Sequence, residues 1–246
     1  MSDANVTAAV LVIGDEILSG RTKDKNIGYI AEYLTKLGID LREVRVVPDV
    51  EDEIVAAVNA LRARFDYLFT TGGIGPTHDD ITADCVAKAF GVPIVVDERA
   101  VDMLLQRMRR EDLNEARLRM ARIPQGADLV ENPISRAPGF RIGNVIVMAG
   151  VPAIMQAMLD NVAPGLVKGT PVQAVAIEAG LPEGLYAAGL GAIAADYPDL
   201  SIGSYPSYSS AGFSNQIVVR GRDPERLDAA CAAVRDLVQR LRAESA

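Results

Sequence analysis

An α/β fold with a three-layer, mostly parallel sheet carrying helices on both faces, followed by a small α+β module, is what this sequence predicts. Three observations lead there. Short apolar runs rich in Val and Ile alternate with helix-length amphipathic segments over the first two thirds of the chain. Those runs stop at Gly or Asp, the punctuation of strands feeding loops at one edge of an open sheet. A Pro/Gly-punctuated stretch, "APGLVKGTP" (163–171), then marks a change of composition. The expected domains are 1–168 and 169–246.

The elements follow in order. "TAAVLVIG" (7–14) reads as a strand buried on both faces. "DKNIGYIAEYLTKLG" places Ile27, Ile30, Tyr33, Leu34 and Leu37 at helical spacing, with a cap at Asp24 and a close at Gly38. The unit repeats as strand 41–49, the helix "VEDEIVAAVNALRARF", strand 67–73 and the helix "ITADCVAKAFG". Right-handed crossovers are expected between them. Residues 98–122 turn helical and charged, broken into two helices near "RRED" and read as a solvated pair packed on the sheet or used in assembly. "ADLVENP", "GFRIG" and "NVIVMAG" return to strand, and Pro152 opens another helix. Beyond residue 170 the pattern is strand, helix, two strands and a long helix, with "SYPSYSSAGFSN" expected as a flexible hairpin tip. In the last helix Leu227, Ala230, Cys231, Val234, Leu237, Val238 and Leu241 share one face.

Bulk properties narrow the function. The 246 residues are 49% hydrophobic, enough for a sizeable core, and carry a formal net charge of -8. Such a surface repels phosphate backbones and anionic membranes, so no nucleic-acid or membrane partner is expected, and an anionic ligand must be captured locally. The first apolar run is far shorter than the about 18 residues of a membrane span, and no basic segment precedes it. A cytoplasmic protein is the expectation. The two cysteines, Cys85 and Cys231, fall in helix-like patterns and read as buried thiols.

The chemistry concentrates in "TTGGIGPTHDDIT" (70–82). Gly72, Gly73 and Gly75 let a ligand approach backbone N–H groups closely, and the helix starting near Ile81 adds unpaired donors and a positive dipole end. Asp79 and Asp80 then pose a problem: a phosphate about 4 Å from a carboxylate is repelled by roughly 4 kcal/mol at an effective dielectric near 20. A divalent ion held by one or two carboxylates and completed by phosphate oxygens and water resolves it. Asp15 and Glu16 in "GDEIL", Asp49 in "VPD" and Gly150 fall at the same rim. The candidate metal ligands are therefore Asp15, Glu16, Asp79 and Asp80, with Asp80 and Asp15 as catalytic groups. Helix N-capping is the alternative for the doublet. His78, the only histidine, is either a solvated side chain or an acid/base group. No G-x-S-x-G turn and no lysine-bearing P-loop is present.

These residues, with "GDEILSG" (14–20), "DKN" (24–26), "VPD" (47–49), "NPISRAPGF" (132–140) and "AGVPAIM" (149–155), resemble the molybdopterin-binding domain shared by MoaB/Mog proteins and the N-terminal part of the CinA (competence/damage-inducible protein A) family. The match runs in order over about residues 5 to 168 and fits the CinA branch better. The tail resembles the small KH-like domain of CinA proteins, with "SIGSYP" as its signature. The resemblance implies a homo-oligomer and a site for a pterin or nucleotide phosphate. In that site Gly72, Gly73, Gly75, Pro76, Thr77, His78, Asn26, Asp49 and Gly150 contact ligand. It implies magnesium, manganese or cobalt as cofactor, molybdopterin as a further ligand, and Asp80 as the leading catalytic group of a pyrophosphatase acting on ADP-ribose-like substrates. A carrier that binds without turnover, linked to molybdenum cofactor biosynthesis, is the alternative, and a purely structural role is a third reading.

The chain departs from that pattern in three places. Where CinA proteins usually show L-P-G-V-P-x-E-M, Ala149 replaces the proline and Ile154 the acidic residue. Ser135 and Arg136 stand in place of a Gly-Thr pair. The sequence ends at 246, so the expectation is a short form without the CinA amidohydrolase domain. In the tail, "GSYPSYSSAG" has neither the GXXG spacing nor the basic flanks that clamp RNA, though Arg220 and Arg222 are close by, so packing or assembly is its expected role.

Overall fold

The computed structural model of the protein describes residues 5–209 and 212–244. They form two compact units, one ending at Gly169 and one beginning at Thr170.

In the first unit, β1 (Thr7–Ile13) leads through the short α1 (Asp15–Leu18) and α2 (Asn26–Lys36) to β2 (Asp40–Val47). Then come α3 (Glu51–Arg62), β3 (Tyr67–Thr71), α4 (Thr82–Phe90), β4 (Ile94–Val96), α5 (Glu98–Leu105), α6 (Glu115–Arg119), β5 (Arg122–Pro124), β6 (Asp128–Val130), β7 (Gly139–Ile142), β8 (Val145–Met148) and α7 (Pro152–Val162). The main sheet has the order β2-β1-β3-β8-β7-β6. β2, β1, β3 and β8 are parallel, while β7 and β6 run antiparallel at one edge. Only two residues, Gly143 and Asn144, join β7 to β8, and so short a link permits only antiparallel neighbours.

Alternation along β1 builds the three layers. Ala8, Val10 and Val12 pack with Ile30 and Leu34 of α2 and with Met155, Met158 and Leu159 of α7. Ala9, Leu11 and Ile13 pack on the opposite face with Ile54, Val58 and Leu61 of α3, Val86 of α4 and Leu104 of α5. Because both faces are covered, the strand carries no polar alternation. Each large side chain so buried contributes about 1.5–3 kcal/mol. Local chemistry sets the helix starts. The N-cap of α2 is Lys25 rather than the expected Asp24, but Asp24, one residue earlier, accepts on Oδ1 from the Asn26 and Ile27 N–H groups at 3.0 and 2.8 Å, and Pro152 sits in the first turn of α7. The charged 98–122 stretch divides as expected into α5 and α6, with a turn of 3-10 helix at Arg110–Asp112 between them. Sequence reasoning missed the two-stranded antiparallel pair β4–β5. Its strands are three residues long, and Val95 and Val96 are exposed, so no burial pattern announces them.

In the second unit, β9 (Gln173–Glu178), α8 (Glu183–Asp196), β10 (Ser201–Ser209), β11 (Gly212–Gly221) and α9 (Pro224–Glu244) form an antiparallel sheet of order β10-β11-β9 with its helices packed on one face. This is the expected strand-helix-strand-strand-helix module. The α9 face carrying Leu227, Ala230, Cys231, Val234, Leu237 and Val238 is buried against Ile177, Ile217 and Val219. The segment expected as a flexible hairpin tip is mostly paired strand, from Tyr205 opposite Gln216 to Ser209 opposite Gly212. Residues 210–211 of that segment lie outside the described residues. Cys85 and Cys231 are free and buried, and burial pushes both thiols up, Cys85 to about 12, which leaves them unreactive.

The start of β1 is pinned by Asp66, whose Oδ2 accepts from the Thr7 N–H at 2.7 Å and its hydroxyl at 2.8 Å. These bonds hold the Asp66 carboxyl below its usual range, so its stabilising effect is present at neutral pH and fades as pH falls through that lowered value. Asp66→Asn is therefore expected to unfold at lower urea than the parent at pH 7 and at the same urea once Asp66 is protonated. Equal midpoints at pH 7 would contradict the assignment.

Candidate functional site at the carboxyl ends of the parallel strands

From β1 the chain moves to β2 on one side and then, through α3, to β3 on the other, so the strand order reverses at β1. Crevices at such reversals, beyond the carboxyl ends of the strands, are where open α/β sheets bind ligands. Gly14, Gly72 and Gly150 stand at that edge, after β1, β3 and β8. Their loops touch. A Cβ on Gly72 would lie 2.1 Å from the Ile13 carbonyl oxygen, and one on Gly150 would lie 3.3 Å from the Gly72 Cα. Gly72 also takes φ 103°, closed to ordinary side chains. Its N–H donates to the Met148 carbonyl at 3.2 Å.

The loop after β3 is braced from α4 and from within. Thr82 donates its hydroxyl to the Gly72 carbonyl at 3.0 Å and its N–H to the Gly73 carbonyl at 3.0 Å. Asp80 closes the turn: its Oδ2 accepts from the Thr77 N–H at 2.8 Å and the Thr77 hydroxyl at 2.5 Å. The helix-capping alternative for the doublet is corrected by this geometry. Ile81 is the N-cap of α4, with no side-chain cap, and Asp80 caps the loop instead. The amides of Gly73, Ile74 and Gly75 are left without an acceptor among the described residues. These three residues line a small cleft together with Asp80, Asp84, Arg119, Arg122, Pro138 and Phe140. Consecutive unpaired N–H groups in a turn form an anion-binding concavity.

The acidic residues divide. The Asp49 carboxylate accepts from the Asp15 N–H at 2.9 Å. Its carboxyl is raised above the usual range, first by burial, against the pull of that hydrogen bond, and further by the negative charges of Asp15, Glu16 and Asp79. The rim therefore gathers Asp15, Glu16, Asp49 and Asp79, whereas Asp80 is engaged by Thr77 inside the loop. The exposed Asp79 carboxyl is held low, first by the Thr77 side chain beside it, with help from its own backbone N–H and from the charges of His78 and Arg119. Among the described residues no three His, Cys, Asp or Glu side chains converge as a metal cage. One or two carboxylates of this rim suit a magnesium-type ion that draws its remaining ligands from phosphate and water.

The other expected residues fall as follows. Asn26 is buried, and its Nδ2 donates to the Gly150 carbonyl at 2.8 Å while its Oδ1 has no partner among the described residues. Pro76 and Thr77 are exposed, and His78 stands out in solvent, its Nδ1 3.9 Å from Asp79 Oδ1. The departure at Ser135 and Arg136 is accommodated: Asn132, buried, donates from Nδ2 to the Ser135 hydroxyl and to the Ala137 carbonyl, and Arg136 takes φ 64°. Arg119 was missed. It comes from α6, read in the sequence as a solvated helix, and its Nη2 donates to the Asp80 carbonyl across 39 positions at 3.2 Å. No local pattern signals a contact at that separation.

Residues 9–168, well over half of the chain, match the family described as "probable molybdopterin binding domain". The chain belongs to the molybdopterin-binding domain family. Residues 171–245 match the middle domain of FAD synthase. A protein of Archaeoglobus fulgidus is 32% identical over 231 residues, which span 93% of this chain and 96% of that one. The crystal structure of "the protein CinA with unknown function" from Thermoplasma acidophilum is 37% identical with a TM-score of 0.63, covering 67% of this chain and all of that one. The molybdopterin biosynthesis enzyme MoaB from Thermus thermophilus is 20% identical with a TM-score of 0.45, covering 65% of this chain and 91% of that one. Among the described residues of this family member, no helix is long and apolar enough to cross a membrane.

Two glycines of the loop are expected to answer differently to alanine. Gly72→Ala meets backbone at a forbidden φ and is expected to lose more than about 2 kcal/mol of stability by urea unfolding. Gly75→Ala meets only the Asp80 carboxylate, at 2.6 Å, and is expected to fold while displacing Asp80 from Thr77. Equal urea midpoints for Gly72→Ala and the parent would contradict the close packing.

Proposed function

We propose that the loop at residues 72–80 binds the phosphate or diphosphate of a nucleotide or pterin, and that the protein is a divalent-metal-dependent pyrophosphatase acting on ADP-ribose-like substrates. The observation that carries the binding reading is the run of unpaired amides at Gly73, Ile74 and Gly75 over a cleft, at the edge where the strand order reverses. The unpartnered Asn26 Oδ1 supports a ligand with N–H donors, as pterins and adenine have, because a buried acceptor left unpaired costs about 1–3 kcal/mol.

For the hydrolytic step, the residue chemistry divides the labour. Gly73, Ile74 and Gly75 donate N–H groups to phosphate oxygens, where negative charge is held without reorganisation. Asp80 fixes Thr77 and with it the shape of the loop. Asp15, with Glu16, Asp49 and Asp79, would hold a magnesium, manganese or cobalt ion. When bound, such an ion neutralises phosphate charge and lowers the pKa of water. Hydrolysis adds one water across the diphosphate bond, giving AMP and ribose 5-phosphate from ADP-ribose. The engagement of Asp80 by Thr77 favours a second reading, a carrier that holds its ligand without turnover.

With magnesium, manganese or cobalt, the protein is expected to release AMP from ADP-ribose, and Asp80→Ala, which frees Thr77 and misplaces the loop amides, to lower that rate by about a hundredfold. Calorimetry showing affinity for ADP-ribose or molybdopterin with no product would establish the carrier. Unchanged turnover in Asp80→Ala would remove Asp80 from the mechanism, and neither affinity nor turnover would end the proposal.

A further inference from the structure

We infer that Arg119 is a phosphate-binding residue of this site and that anion capture at the loop does not require a divalent ion. The inference rests on the reading of residues 72–80 as a phosphate loop, and it supplies the positive charge which that reading lacks among the residues near in sequence. Three features carry it. Arg119 lines the same cleft as the unpaired amides of Gly73 to Gly75. It has no carboxylate partner among the described residues, whereas its neighbour Arg122 is paired with Asp84. Its Nε is buried and has no acceptor, so only Nη2, bound to the Asp80 carbonyl, is satisfied among the described atoms.

A guanidinium presents five N–H donors in a planar fork, and burying one of them unpaired is unfavourable. An oxyanion held by the Gly73–Gly75 amides would supply the missing acceptor and the missing negative charge together. Arg119 reaches Asp80 through the main-chain carbonyl, leaving the carboxylate free to serve Thr77. Its charge also acts on Asp79 and so offsets part of the doublet's repulsion of an incoming phosphate. On a chain of net charge -8, a cation placed within the cleft decides where an anion settles.

The test is calorimetry of the full chain with inorganic pyrophosphate and with ADP-ribose, in EDTA and again with magnesium. The parent is expected to bind both in EDTA. Arg119→Ala is expected to bind about ten- to a hundredfold more weakly, the loss of a charge-assisted hydrogen bond, and Arg119→Lys to recover part of that loss. Arg109→Ala, which removes one charge from an exposed pair with Glu111, is expected to bind as the parent does. Thermal unfolding of Arg119→Ala checks that the loop persists, and the lysine variant carries the test if it does not. Binding that appears only with magnesium, or equal affinity in Arg119→Ala and the parent, would overturn the role of Arg119 while leaving the loop as the site. Failure of both ligands to bind under either condition would overturn both.

Discussion

No side chain fits at residue 72. The backbone there is squeezed against the Ile13 carbonyl on one side and approached by Gly150 on the other, at a φ that ordinary residues avoid. That single contact brings the loops after β1, β3 and β8 together at the reversal of strand order, and everything proposed for the site presupposes it. It leaves the next three amides turned out of the sheet's hydrogen bonding, and Thr82 and Asp80 hold them in that arrangement.

The electrostatic problem posed by an acidic loop in an acidic protein has a partly internal answer. Asp80 directs its negative charge at Thr77, Asp79 lies in reach of Arg119, and the uncompensated repulsion falls on Asp49, whose carboxyl is raised by burial and by its acidic neighbours. In the proposed site a guanidinium in the cleft and a carboxylate rim are complementary devices, the first for meeting a phosphate directly and the second for holding a cation.

Much of this was legible in the sequence because burial on both faces leaves a plain signature. The runs at β1, β3 and β8 are buried almost throughout, and helices α2, α4 and α9 carry one apolar stripe each, so the layers and the loop positions followed. The three-residue strands β4 and β5 left no such signature. The T-x-x-D spacing of Thr77 and Asp80 is itself a signal of side-chain closure onto a nearby amide, whereas the sequence reading takes Asp80 as a catalytic group, a metal ligand or a helix cap. Arg119 was not legible at all, since its meaning depends on a tertiary contact that places a solvated-looking helix against the loop.

The central claim is that the Gly73, Ile74 and Gly75 amides receive an oxyanion. The most direct measurement is the backbone amide NMR spectrum of the protein titrated with ADP-ribose. The account predicts saturable shifts centred on those three amides and on the Arg119 Nε–H. Shifts confined to other surfaces, with these resonances unmoved at saturation, would contradict it.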